Sequence, residues 1–387
     1  MTIRGLMVVC CAFLAAVSAA CERRSGTPQS TTGEIVVGMY GSLTGDGASF
    51  GQSSVEGAQL AVEEINNAGG VLGGRQIRLL VEDDQSRPEE ASSAVTKLIT
   101  QDKVIAVLGE VASRRTLAAA PVAQKYRIPL ITPASTNERV TQVGDYIFRV
   151  CFIDPFQGEV LAKFAYNDLK ARTVAVLKDI QQDYSVGLTD SIQKTFTGLG
   201  GKVLDPVSYS SGDADFRAIL TQVRAQKPDA IFATGYYPEA AIIVRQAREL
   251  GMTMPILGGD GWVGDALKNG REALKNTFIS NHYSGENPDP IVQNFRKAYR
   301  AKFNREPDSI AALGYDAAKV LADSINRAGT TEGPKVRDAI AAANVAGVTG
   351  QLRMNPDRNV VKPAVIEEIQ FVNGDVKYAY RTTINPN

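Results

Sequence analysis

Cysteine is scarce in this chain of 387 residues, and histidine occurs once. The four cysteines are Cys10, Cys11, Cys21 and Cys151. The first two lie in an amino-terminal apolar run and Cys21 stands just after it, so the body of the chain holds only Cys151. An intrachain disulfide framework is therefore excluded, and stability has to come from buried apolar surface. Cys151 itself reads as a small buried hydrophobe. The lone His282 has no evident serine or cysteine partner for acid–base work. A P-loop, a G-x-S-x-G elbow and a metal-ligand cluster are missing too, so no metal or cofactor is expected. Neither sign of charge is in excess: Lys+Arg and Asp+Glu both number 42, and no basic run exceeds two residues. That balance excludes a global field for nucleic acid or an anionic membrane. Beyond the first twenty residues no stretch reaches the roughly 18 apolar residues of a membrane span.

What is present begins with a targeting segment over residues 1–20. Arg4 supplies the positive start, Gly5 to Val17 the apolar run, and Ser18-Ala19-Ala20 a small-residue cleavage site. Cys21 follows at once, as in a bacterial lipobox, although Ser18 stands where leucine is usual. Ordinary cleavage is the alternative; lipidation of Cys21 is the expectation. Residues 21–33 are polar and rich in Ser, Thr, Gly and Pro, a tether suited to an anchored domain outside the cytoplasm.

The remaining length predicts two domains. The chain is organised around Lys103 to Thr136, where apolar runs of about five residues alternate with helical patterns. This is the mark of a parallel sheet buried on both faces. Strands are predicted at Ile35–Met39, Gln76–Glu82, Val104–Leu108, Ile128–Thr132 and Tyr146–Val150. After Cys151-Phe152-Ile153-Asp154-Pro155 the order restarts, with strands at Val174–Lys178, Lys202–Tyr209, Ala230–Thr234, Pro255–Leu257 and Thr277–Ser280. Helices fill the gaps and end in Gly-rich turns in both halves. The reading is two similar open α/β sheets, with a mostly helical segment at Pro290–Arg327 and late strands at Gly347–Leu352 and Ala364–Val372 returning to them. More than one crossing between the halves makes a hinge.

Ligands of such sheets bind at the carboxyl ends of strands, where helix N-termini expose N–H groups. Here the first half places GEVAS (Gly109–Ser113) and TPAST (Thr132–Thr136), which suit an anion through Ser113, Ser135 and Thr136. Its echo in the second half is GYYPE (Gly235–Glu239) and GGDGW (Gly258–Trp262). Asp260 with Tyr236 and Tyr237 suits a cation. An α-amino acid bridging the halves satisfies both ends, with Phe50 and Trp262 around its side chain. Taken singly, the hydroxyl residues also read as helix caps and the tyrosines as packing.

From Glu34 to about Tyr380 the chain resembles the branched-chain-amino-acid-binding branch of type I periplasmic binding proteins, the receptors of ABC importers. The shared runs are Gly57–Gly70, Asp83-Asp84, GEVAS, ITPAST, GYYPE with Arg245–Arg248, and Gly314-Tyr315-Asp316-Ala317. The resemblance implies two Rossmann-like open parallel-sheet lobes, joined by a three-strand hinge, that close on a ligand. It places lobe one at 34–151 plus 284–351 and lobe two at 152–283 plus 352–385. By the same resemblance Ser113 holds the ligand carboxylate, while Ala134, Ser135 and Thr136 contact carboxylate and amine. Tyr236 lies near the ammonium, Asp260 pairs with it, and Phe50 and Tyr184 are aromatic lids. Some members have a disulfide near Ser86 and Ala112, or an aromatic near Ala311, and this chain has neither, which leaves ligand size open. Arg114 and Arg115 read as solvated helix positions; a second anion contact, favouring an acidic ligand, is the alternative. The implied function is a monomeric extracytoplasmic receptor, periplasmic or at the cell surface, serving a permease and its ATPases. A sensor of the same fold for amides, acidic amino acids or aromatic acids is the alternative. An enzyme is disfavoured: Gly259–Gly264 fits G-x-G-x-x-G, but Trp262 fills the loop and no acid ends the next strand.

Overall fold

The computed structural model describes residues 33–205 and 207–386. The expected signal segment, Cys21 and nearly all of the expected tether lie outside the described residues.

The first half runs β1 (Ile35–Gly41), α1 (Ala48–Asn67), β2 (Ile77–Asp83), α2 (Pro88–Thr100), β3 (Val107–Leu108), α3 (Ser113–Tyr126), β4 (Leu130–Thr132), α4 (Arg139–Gln142) and β5 (Ile147–Arg149). The second runs α5 (Asp154–Lys163), β6 (Thr173–Asp179), α6 (Asp183–Gly198), β7 (Lys202–Val203), β8 (Val207–Tyr209), α7 (Arg217–Gln226), β9 (Ala230–Ala233), α8 (Tyr237–Glu249), β10 (Ile256–Gly258) and β11 (Thr277–Asn281). The tail is α9 (Pro290–Phe303), α10 (Ser309–Ala328), α11 (Gly333–Ala341), β12 (Asn344–Gly347), β13 (Gly350–Arg353), β14 (Ala364–Val372) and β15 (Asp375–Ile384).

The first sheet is wholly parallel in the order β2-β1-β3-β4-β5. In the second, β7 and β8 share the place of one strand beside β6, and β9, β10 and β11 follow in parallel. The predicted repeat is therefore real: each half lays its strands in the order second, first, third, fourth, fifth. Its cause is visible in β1. Ile35, Val37 and Met39 enter one core, while Val36 and Tyr40 join another made with α2 and α3 on the opposite face. A strand covered on both faces needs apolar residues throughout, which is why these segments read as unbroken runs.

The second sheet is extended by β14 and β15, both antiparallel to their neighbours. Sequence reasoning expected β14 but not β15. The hairpin between them turns at Asn373 and Gly374, both with positive φ, which is the Asn-Gly signal of a tight hairpin. The predicted strand at Gly347–Leu352 is instead the hairpin β12–β13. The helical tail packs on the first half, where α10 crosses α1 closely. A Cβ on Gly57 would stand 1.9 Å from the Ala311 carbonyl oxygen, and one on Gly314 would stand 2.2 Å from that of Ser54. The crossing is fastened by Ser53 Oγ donating to Asp308 (2.7 Å) and Tyr315 donating to Glu64 (2.5 Å).

Gly57→Leu is expected to force the two helices apart and destabilise the protein by about 3 kcal/mol. Thermal unfolding measures it; an unchanged midpoint would mean that the helices can separate at no cost.

Candidate ligand-binding site

The carboxyl ends of the two sheets face each other across a small cavity. It is lined by Phe50, Val111, Ser113, Ala134, Tyr184, Tyr236, Asp260, Gly261 and Ile310. The turn after β3 brings Val111 and Ser113, and the turn after β4 brings Ala134. Their counterparts in the second half are Tyr184 after β6, Tyr236 after β9, and Asp260 with Gly261 after β10. Phe50 comes from the first turn of α1. Ile310 comes from the first turn of α10, where Asp308 accepts a hydrogen bond from the Ala311 amide (2.8 Å) as the N-cap.

Ser113 is the first residue of α3. That end carries backbone N–H groups with no partner inside the helix, and it is the positive end of the helix dipole. The Ser113 hydroxyl accepts the Asn137 amide (3.2 Å), which fixes its direction. Opposite it, Asp260 is almost wholly buried. Its Oδ1 accepts from Gln157 Nε2 (2.7 Å), and its Oδ2 lies 2.8 Å from His282 Nε2. The walls are aromatic. Tyr184 and Tyr236 stack with their ring centres 5.0 Å apart, and Phe50 meets the edges of Tyr236 (5.4 Å) and Tyr237 (4.8 Å). Burial pushes the hydroxyls of Tyr184 and Tyr236 well above their ordinary range, so both rings are neutral.

The structure differs from the sequence reading at several residues. Trp262 is not on the cavity: its indole N–H donates to the Ala233 carbonyl (3.1 Å) and its ring lies in the core. Gly258 makes room for it, since a Cβ there would meet the indole at 2.2 Å. Ser135 turns away from the cavity. Its Oγ pairs with Thr116 (2.6 Å) and donates to the Glu110 carbonyl (2.9 Å), tying the two turns together. None of Ser113, Ser135 and Thr136 is a side-chain N-cap. Thr136 is buried beside Asp154: its carbonyl accepts the Asp154 amide (3.0 Å), while its hydroxyl has no hydrogen-bond partner among the described residues. Arg115 is not solvated. It is buried against Glu110 (3.1 Å) and Asp84 (3.9 Å), so its charge is already matched by carboxylates. Arg114 is exposed, as expected, and donates to the Gln181 carbonyl of the second half (2.6 Å). Ala311 abuts α1, and its neighbour Ile310 faces the ligand space.

Sequence reasoning missed Asp154, Gln157 and His282. Asp154 opens α5, is fully buried, and neither carboxyl oxygen has a hydrogen bond from the described residues. Burial raises its pKa well above the carboxylate range; the Thr136 hydroxyl opposes this and Asp260 adds to it. A polar Asp and Gln at i and i+3 in the first turn of a helix was the available signal, but it is also an ordinary helix start.

Residues 34–373 match the family described as "Periplasmic binding protein". The chain belongs to that family. It is 32% identical over 328 residues to the leucine-, isoleucine-, valine-, threonine- and alanine-binding protein of Pseudomonas aeruginosa, covering 82% of this chain and 85% of that protein. Among solved structures it resembles the leucine-binding protein LivK of Thermotoga maritima at 40% identity and a TM-score of 0.86, with 91% and 99% of the two chains covered. It also resembles LivJ of Streptococcus pneumoniae, solved with isoleucine, at 35% identity and a TM-score of 0.84, covering 90% and 99%. The fold is thus the two-lobed type I architecture, and the family is one of binding proteins. Among the described residues no helix is long and apolar enough to cross a membrane.

The buried cluster at Arg115 gives a pH test. Burial and Glu110 push Asp84 up to about 7, against the pull of Arg115. A folded-state value above the unfolded one means that its share of stability is intact below about pH 4 and lost as pH rises through about 7. Thermal unfolding of Asp84→Asn across that range is expected to show a shallower decline than the parent; equal slopes would exclude Asp84 as the source.

Proposed function

We propose that this chain is the extracytoplasmic receptor of an ABC importer for a small neutral aliphatic L-amino acid. The observation that carries the reading is the polarity of one cavity. A helix N-terminus with Ser113 and the Ala134 turn stand on one side, and the buried Asp260 carboxylate stands on the other. An α-carboxylate at the first and an α-ammonium at the second complete both. The side chain then lies against Phe50, Tyr236 and Ile310. An acidic side chain is disfavoured because Arg115 is already matched by Asp84 and Glu110. The names of the relatives support the same ligand class.

In this proposal the lobes are 34–151 plus 284–351 and 152–283 plus 352–385. Closure works by population shift: a ligand that touches both lobes binds only the closed state well. Contacts already spanning the cleft define that state. Tyr237 Oη donates to the Asp46 carbonyl (2.6 Å), and Arg139 pairs with Asp183 (2.9 Å). The closed form is what a permease with its ATPases recognises. The protein acts as a monomer without a cofactor. A signal peptide at 1–20 and a lipid on Cys21 hold it at the membrane through the 21–33 tether.

Calorimetry with a panel of amino acids tests the ligand. Leucine, isoleucine or valine is expected to bind best, and Asp260→Ala is expected to lose about 100-fold in affinity through an unpaired ammonium. Tighter binding of glutamate, or no change in the variant, would overturn the reading. The anchor has its own test: Cys21→Ser is expected to move the protein from the membrane fraction to the soluble one.

A further inference from the structure

We propose that His282 is the positioning residue of the ammonium subsite, fixing the Asp260 carboxylate through an Nε2–H hydrogen bond. The inference rests on the amino-acid reading above and goes beyond it, because His282 is not on the cavity.

Asp260 is held from two sides, by Gln157 on Oδ1 and by His282 on Oδ2 (2.7 and 2.8 Å). The carboxylate plane is thereby set before any ligand arrives, which is how a site avoids reorganising when it binds. The nature of the second contact depends on the charge of the ring. The imidazole is wholly buried; that burial, with Lys362 nearby, brings it down to about 4 despite Asp260. The ring is therefore neutral at ordinary pH, and the pair is a hydrogen bond rather than an ion pair. This difference matters to the ligand. An imidazolium would cancel the charge that an ammonium needs, whereas a neutral donor orients the carboxylate and leaves its charge in place. With Nε2 carrying the proton, Nδ1 is the bare nitrogen, and it has no hydrogen-bond partner among the described residues.

The ring is also placed to connect site and hinge. His282 directly follows β11, at the start of the second crossing between the halves. Its face stacks on Phe152, in the first crossing, with centroids 3.7 Å apart and planes 24° from parallel. One side chain thus joins two crossing segments to the carboxylate on the turn after β10.

Because His282 is the only histidine in the sequence, its ring can be observed without assignment. Nitrogen NMR of the ligand-free protein at neutral pH is expected to show a neutral ring protonated at Nε2. An imidazolium, or a proton on Nδ1, overturns the proposal. His282→Phe keeps the ring stack and removes the donor, while His282→Gln returns an N–H close to the Nε2 position. Calorimetry with leucine is expected to show about tenfold weaker binding for the phenylalanine variant and recovery of most of it for glutamine. Wild-type affinity in the phenylalanine variant, or equal losses in both, overturns the positioning role while the amino-acid reading stands. If the unaltered protein binds no neutral amino acid, that reading falls first and this one with it. Should the phenylalanine variant not fold, the glutamine affinity and the nitrogen shifts still decide.

Discussion

A carboxylate out of contact with water is tolerated only where hydrogen bonds or a counter-charge replace its hydration. Asp260 meets that condition through Gln157 and His282, and much of the architecture around it follows. Gln157 has to come from the first turn of α5, so the chain must enter the second half at that point. His282 has to come from the end of β11, beside the second crossing. The turn after β10 has to be tight enough to aim the carboxylate inward, and Gly258 and Gly261 allow it by leaving room for Trp262 and the tyrosines. The aromatic wall keeps water from weakening the same electrostatics.

The opposite wall works by different means. No cation is offered to the cavity from the first half, although Arg115 sits one helical position beyond Arg114 and two beyond Ser113. Its guanidinium is held by Asp84 and Glu110, and Arg114 reaches outward across the cleft. What is left for an anion is backbone polarity and small hydroxyls. Such a wall fits the single charge of an α-carboxylate. A second carboxylate on the side chain would have to compete with Asp84 and Glu110 for Arg115.

The sequence made the two-sheet repeat legible because a strand buried on both faces must be apolar at every position, and that requirement leaves an unbroken run in the text. It also showed where ligand chemistry would lie, since the turns at strand ends carry residue types that no core would choose. It did not show which way those side chains point. Ser135 looked like a ligand contact and instead joins two turns; Trp262 looked like a wall around the ligand side chain and is core. Those directions are set by partners far away in sequence. Thr116 is 19 residues from Ser135, and Gln157 is 103 from Asp260. No local period encodes such pairs. For Arg115 the local pattern was misleading, because a charged residue in a first helical turn is ordinarily solvated. The β15 hairpin was legible after all, through Asn373-Gly374.

The glycine crossing of α1 and α10 has a consequence for how the molecule comes into being. Ser53 and Asp308, 255 positions apart, have to meet before the first half is covered on its outer face. A chain synthesised from its N-terminus cannot complete that half until Asp308 has been made, about four-fifths of the way along its 387 residues. Contacts of such long range are slow to form, because the loop between them must close first. The outer face of the first half therefore stays uncovered for most of elongation, while the second sheet has its own strands from β6 to β11 within a contiguous stretch.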